Sequence, residues 1–219
     1  MELDVSYISL TKNPKIAIKV ISGHFATSNA HSNNYLDFSE LKCNAFIAQD
    51  VAREIAIPYL SSTAIDTIVC MEKTAVIGAF LAQDLLQEGT SILNAGGQIH
   101  VVSPTNNAHG NWVFPSNRTE WINGKNVLLL TATVSSGRAL NSVVECIAYY
   151  GGKLAGVSAL YMASPDAVNR SLNLPEINAL FTSDDVPGYR LFNPANCEMC
   201  KNGQKIDAIV NSEGYTKIE

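Results

Sequence analysis

Between Asn126 and Gly152 the chain reads NVLLLTATVSSGRALNSVVECIAYYGG, and the residues best suited to chemistry sit in its middle. Ser135, Ser136 and Gly137 separate an apolar run from a helical pattern. At such a junction free backbone N–H groups and the helix dipole together favour an anion. The small hydroxyls can add hydrogen bonds to phosphate oxygens, and Arg138 can add charge if it points inward. On this local pattern alone, an N-capped helix after a tight turn fits equally well. Just upstream, at the strand end where such sites usually carry acid, the residues are Thr131 and Ala132.

A second group follows the run DTIVCM. Glu72, Lys73 and Thr74 open another helical pattern, where Lys73 can meet an anion as a point charge and Glu72 repels one unless paired, or both are ordinary solvated charges at a helix start. His24, His31, His100 and His109 have no close metal-ligand spacing, and no His-Asp-Ser arrangement follows from chain order. Cys197 and Cys200 supply only half of a four-ligand zinc site and lack the strand-to-helix setting of a redox motif. A packed turn is the preferred reading there, with no metal. Trp112, Phe114 and Trp121 offer faces for a planar ligand but read better as anchors of their loop.

Helices and strands must position these groups. Asp37 or Ser39 caps a helix with apolar positions Leu41, Ala45, Phe46, Val51 and Ile55, stopped by Pro58. DTIVCM and AVIGAFLAQDLLQEG form a βα unit, QIHVVS a second strand, and residues 104–124 a long polar loop of the kind that serves as a lid. NVLLLTA and ALNSVVECIAYYGG form another strand and helix, ended by Gly151-Gly152. LAGVSALYMA and INALFTS are further strands, and the tail after Val186 is loop-like. Repeated β-then-α order, with strands apolar on both faces, predicts a mainly parallel open α/β sheet that binds ligands at its strand carboxyl ends.

The 219 residues are 47% hydrophobic and 16% charged, enough for a sizeable core. A net charge of -5 provides no general attraction for nucleic acid or anionic lipid. No basic leader or long apolar run occurs, which suggests a cytoplasmic protein with no membrane partner. Five cysteines is an odd number, and Cys43, Cys70 and Cys146 lie in apolar patterns as small buried hydrophobes.

VLLLTATVSSGRAL resembles the ribose-phosphate signature of type I phosphoribosyltransferases, a hydrophobic strand leading into two acidic residues and a Thr/Ser-Thr/Ser-Gly loop. GHFATSNAHSNNY resembles the amino-terminal glycine-histidine-phenylalanine and His-Ser region of orotate phosphoribosyltransferases, and YRLFNPANCEMCKNGQKI their Cys-x-x-Cys-x-x-Gly tail. The three segments keep the family's order from about Gly23 to Ile206.

The resemblance implies the type I phosphoribosyltransferase fold in one domain, with a core of about residues 37–183 and a small hood from 1–36 and 184–219. It implies a homodimer and transfer of ribose phosphate from phosphoribosyl pyrophosphate, whose pyrophosphate carries any Mg2+, to a base such as orotate. The phosphate cradle maps to Thr133–Ala139 and the pyrophosphate loop to Cys70–Ala75, including Glu72, Lys73 and Thr74. His109 matches a lid histidine, and Asn33, Asn34 and Tyr35 lie where the hood approaches the base.

The acidic pair, however, maps to Thr131 and Ala132, the pyrophosphate loop lacks glycine, and the lid carries only Arg118 as a cation. The expectation is therefore a protein that binds a phosphorylated ribose or nucleotide with weak or lost transferase activity. The alternatives are an active orotate or other base transferase, in which Thr131 and Lys73 compensate, and a non-catalytic dimeric interaction protein.

Overall fold

The computed structural model describes residues 4–27, 30–89, 91–135, 137–163, 176–211 and 214–218. In chain order the strands are β1 (Val5–Leu10), β2 (Asn13–Ala26), β3 (His31–Asp37), β4 (Thr67–Cys70), β5 (His100–Val102), β6 (Thr105–Asn106), β7 (Trp112–Val113), β8 (Asn126–Val134), β9 (Lys153–Met162), β10 (Ile177–Thr182), β11 (Leu191–Phe192), β12 (Ala208–Asn211) and β13 (Gly214–Lys217). The helices are α1 (Ser39–Cys43), α2 (Ala45–Ala56), α3 (Ala75–Leu86), α4 (Arg138–Tyr149) and α5 (Glu198–Lys201). The chain divides into two compact units, one from Met1–Glu40 with Asp184–Glu219 and the other Leu41–Ser183. No described helix is long and apolar enough to cross a membrane.

The 41–183 unit is built on a five-stranded sheet in the order β10-β9-β8-β4-β5, with every pairing parallel. Parallel strands need crossovers, and helices on the faces bury the strands on both sides. Val127, Leu128, Leu129 and Leu130 of β8 are accordingly inaccessible to solvent. α3 approaches β4 closely because Gly78 has no side chain. A Cβ there would lie 2.4 Å from the Cys70 sulfur and 3.2 Å from a Val101 methyl.

α4 ends as its two glycines require. Gly151 takes φ +81°, its N–H donates to the Ala148 carbonyl, and the Gly152 N–H donates to the Ile147 carbonyl. That pair of bonds is a Schellman stop.

Several expectations need correction. The single helix before Pro58 is two, because the Asn44 side chain accepts from the Phe46 N–H at 3.0 Å and starts α2 afresh. Phe46 is then 83% exposed and off the apolar face, and Cys43 is exposed too. β8 continues through Val134, so Thr133 belongs to the sheet ladder opposite Tyr161, and the helix starts at Arg138. Residues 104–124 hold a short β6–β7 hairpin and a 3-10 turn over Ser116–Trp121. Phe114 is buried, Trp112 and Trp121 pack half-buried on the core, and the Thr67 hydroxyl donates to the Trp121 carbonyl.

The other unit holds a six-stranded sheet in the order β11-β3-β2-β12-β13, with β1 on β2. Its pairings are antiparallel except β12 with β2. The tail after Val186 is therefore not loop-like, since it supplies β11, α5, β12 and β13. Its strands are two to four residues long and borrow their apolar contacts from β2 and β3, notably Phe25 and Tyr35 against Tyr215.

Gly78→Ala tests the close approach of α3. It should lower stability by about 1–3 kcal/mol in urea unfolding, because the new methyl overlaps a buried sulfur. Adding Cys70→Ala should restore part of that loss, and an unchanged midpoint in the single variant would contradict the packing.

Candidate functional site

Parallel strands end at one edge, so the loops after β4 and β8 emerge side by side. Cys70 pairs with Leu130, and the Met71 N–H donates to the Leu130 carbonyl at 2.8 Å. Thr74, fully buried, ties the β4 loop down by donating its hydroxyl to the carbonyls of Met71 and Leu130. Between these anchors Glu72 and Lys73 take φ values of 49° and 64°, the left-handed region that L side chains rarely adopt.

This backbone course aims the Glu72 carboxylate at the end of β8. The carboxylate accepts from the Thr133 N–H at 2.8 Å, from the Thr131 hydroxyl at 3.1 Å and from the Thr133 hydroxyl at 3.2 Å. Thr131 and Thr133 share one face of β8, while Ala132, 3% exposed, turns to the other and offers nothing polar. The strand end whose own sequence lacks acid thus has a carboxylate delivered from the neighbouring loop. Glu72 and Lys73 are both solvent-exposed, and the Lys42 ammonium lies 3.4 Å from the Glu72 carbonyl.

Beyond β8 the chain turns at Gly137, whose φ of +74° is left-handed, and enters α4 with no side-chain cap. The Gly137 carbonyl accepts the first helical bond from the Asn141 N–H at 2.9 Å. Ser135, Arg138 and Ala139 are exposed around this turn, and Gly137 is buried. Ser136 lies outside the described residues.

His109 sits exposed at the tip of the β6–β7 hairpin, where its N–H donates to the Asn107 side chain. His100 stacks on Trp121 with ring centroids 4.8 Å apart. His24 and His31 converge with Cys197 and Cys200 in the smaller unit, the four ligand atoms all within 4.8 Å of one another. Linear spacing conceals this cluster, because a hairpin and a tail some 170 residues apart in sequence contribute to it. Glu72 is placed by register: with Cys70 level with Leu130, a residue two beyond β4 falls level with Ala132.

No family model matches the chain. It is 25% identical over 194 residues to an orotate phosphoribosyltransferase of Pelotomaculum thermopropionicum, covering 84% of this chain and 86% of that one. It is 24% identical over 190 residues to an orotate phosphoribosyltransferase of Chlorobium phaeobacteroides, covering 86% and 88%. Among solved structures it is similar to adenine phosphoribosyltransferase of Thermoanaerobacter pseudethanolicus, with a TM-score of 0.51, 13% identity and coverage of 81% and 95%. It is likewise similar to Mycobacterium tuberculosis orotate phosphoribosyltransferase in complex with inorganic phosphate, with a TM-score of 0.50, 11% identity and coverage of 84% and 90%. The parallel sheet with its flanking helices is the type I phosphoribosyltransferase fold, and the chain is a homologue of that family with orotate phosphoribosyltransferases among its sequence relatives.

Proposed function

We propose that the chain binds a phosphorylated ribose or nucleotide through the turn after β8 and that its transferase activity is weak or lost. The observation that carries this reading is the contrast across four residues. At Gly137 an uncapped helix start offers amides to a phosphate, while at Thr131 and Thr133 the hydrogen-bonding groups are already held by Glu72. The phosphate-bound Mycobacterium tuberculosis relative supports the same class of ligand.

The reaction needs the ribose hydroxyls held, the departing pyrophosphate neutralised and water excluded. Glu72 works against the second requirement. A carboxylate about 4 Å from each phosphate charge costs about 1 kcal/mol per pair in water and more as water leaves. The 104–124 segment supplies Arg118 but no lysine to offset it. Removing one such electrostatic donor from an active site costs about 3 kcal/mol, or roughly two orders of magnitude in rate, and more than one is missing here.

A second reading has its own observation. The Glu72 carboxylate lies within hydrogen-bond reach of the position where the family's acids hold the ribose, so it can stand in for them in an active orotate transferase. In that case Mg2+ enters with the pyrophosphate of the substrate, since the described residues near the turn offer one carboxylate and no cage. Either reading takes the protein as a homodimer, to be checked by sedimentation.

Titration calorimetry with phosphoribosyl pyrophosphate, orotidine monophosphate and inorganic phosphate should show saturable binding. Ser135→Glu, which brings a charge to the exposed turn, should weaken it at least about tenfold with the circular dichroism spectrum unchanged. No binding by any of the three would refute the proposal and leave an interaction protein. Glu72→Gln should tighten phosphate binding about tenfold and speed exchange of the Thr133 amide by a similar factor. Steady orotate turnover with Mg2+, abolished by Glu72→Gln, would establish the second reading instead.

A further inference from the structure

The geometry points to a structural zinc-type metal site in the smaller unit, formed by His24, His31, Cys197 and Cys200. It is independent of the phosphate reading. His24 Nε2 lies 3.1 Å from His31 Nδ1, 3.5 Å from Cys197 Sγ and 3.7 Å from Cys200 Sγ, and Cys200 Sγ lies 3.4 Å from His31 Nδ1. A tetrahedral ion with zinc–nitrogen and zinc–sulfur bonds of about 2.05 and 2.3 Å sets its ligand atoms about 3.3 Å apart for two nitrogens and about 3.6 Å for nitrogen and sulfur. The four measured separations fall within about 0.2 Å of those edges.

Surrounding structure orients each ligand. The β2–β3 ladder shifts register between Ser22 and Phe25, and this irregularity surrounds His24. His31 pairs with Ala26 on the adjacent strand, so one hairpin supplies both imidazoles. Cys197 and Cys200, three apart on the turn that starts α5, face the same way. Gly203, at φ +74°, then ends the helix with a second Schellman pair, its N–H donating to the Cys200 carbonyl and the Gln204 N–H to the Met199 carbonyl.

That turn brings the carbonyls of Gln204 and Lys205 to His24 Nδ1, at 3.0 and 3.2 Å. Carbonyls only accept, so Nδ1 carries the proton and Nε2 presents its lone pair to the cluster. Imidazole metal ligands are held by this kind of outer hydrogen bond. His24 and Cys197 are 0% and 1% exposed, so two of the four ligands are shielded from solvent. Reciprocal bonds between His24 and Asp207, from the His24 N–H to the carboxylate at 2.7 Å and from the Asp207 N–H to the His24 carbonyl at 2.8 Å, close the arrangement.

The ligand set selects the ion. Two thiolates and two imidazoles suit zinc and exclude magnesium or calcium, which require oxygen. Four protein ligands complete the tetrahedron and leave no position for water or substrate, so the ion clamps the tail to the hairpin and takes no part in catalysis. Binding releases the thiol protons as thiolates form.

The test uses the full-length chain purified without chelator. Elemental analysis should find one zinc per chain. Removal by a chelator should lower Tm, and one equivalent of zinc should restore it. Titrating the metal-free protein with Co2+ should give the visible bands of a tetrahedral site with thiolate charge transfer, saturating at one equivalent. Cys200→Ser and His31→Ala should lose the stoichiometric metal, whereas Cys43→Ser, outside the cluster, should keep it. Absence of metal after purification together with no Co2+ spectrum would overturn the proposal, leaving a hydrogen-bonded cluster. So would a Co2+ spectrum that survives Cys200→Ser, or a Cys197–Cys200 disulfide by mass spectrometry in protein that takes up no metal after reduction.

Discussion

Parallel pairing of β4 with β8 is the constraint on which the larger unit depends. It requires crossover helices, which bury Val127 to Leu130 completely. It also brings the carboxyl ends of both strands to one edge at one level, with Cys70 beside Leu130. Each buried leucine or valine contributes about 1.5–3 kcal/mol, so the register is strongly held, and a slip would move side chains out of their layers. The position of Glu72 beside Thr131 and Thr133 follows from this register.

The β4 loop shows a near balance of opposing terms. Two consecutive left-handed residues other than glycine cost about 1–2 kcal/mol each. Against this stand the hydrogen bonds of the Glu72 carboxylate with one backbone amide and two hydroxyls, worth about 1 kcal/mol each, and the buried Thr74 anchor. A loop held in a costly conformation by an anion contact is sensitive to any competing anion. A phosphate that displaced Glu72 would leave the Thr74 anchor to hold the loop.

The smaller unit obtains its order differently. Among the described residues Ile21, Phe25 and Ala208 form one buried cluster, and the tail strands are short. Cross-links between distant segments tie the tail to the hairpin. β12 pairs in parallel with β2, Asp207 and His24 exchange hydrogen bonds, and the His24, His31, Cys197 and Cys200 side chains meet at one point. Gly203 belongs to the same logic, since its left-handed φ directs two carbonyls onto the His24 ring.

By itself the sequence determined the parallel α/β class, the strand of Leu128 to Leu130, the helix stop at Gly151-Gly152 and the glycine turn at Gly137 that opens α4. These are local patterns of apolar period, glycine and helix start, and local physics decides them. The break at Asn44 was also local but hidden inside a continuous apolar pattern. None of β1, β2, β3 or the tail strands is among the elements expected from the sequence. Only the tertiary structure decided that the Glu72 carboxylate comes to lie against Thr131 and Thr133, and that two histidines meet the Cys-x-x-Cys. Both depend on strand register and on contacts between residues far apart in sequence, which spacing along the chain does not encode.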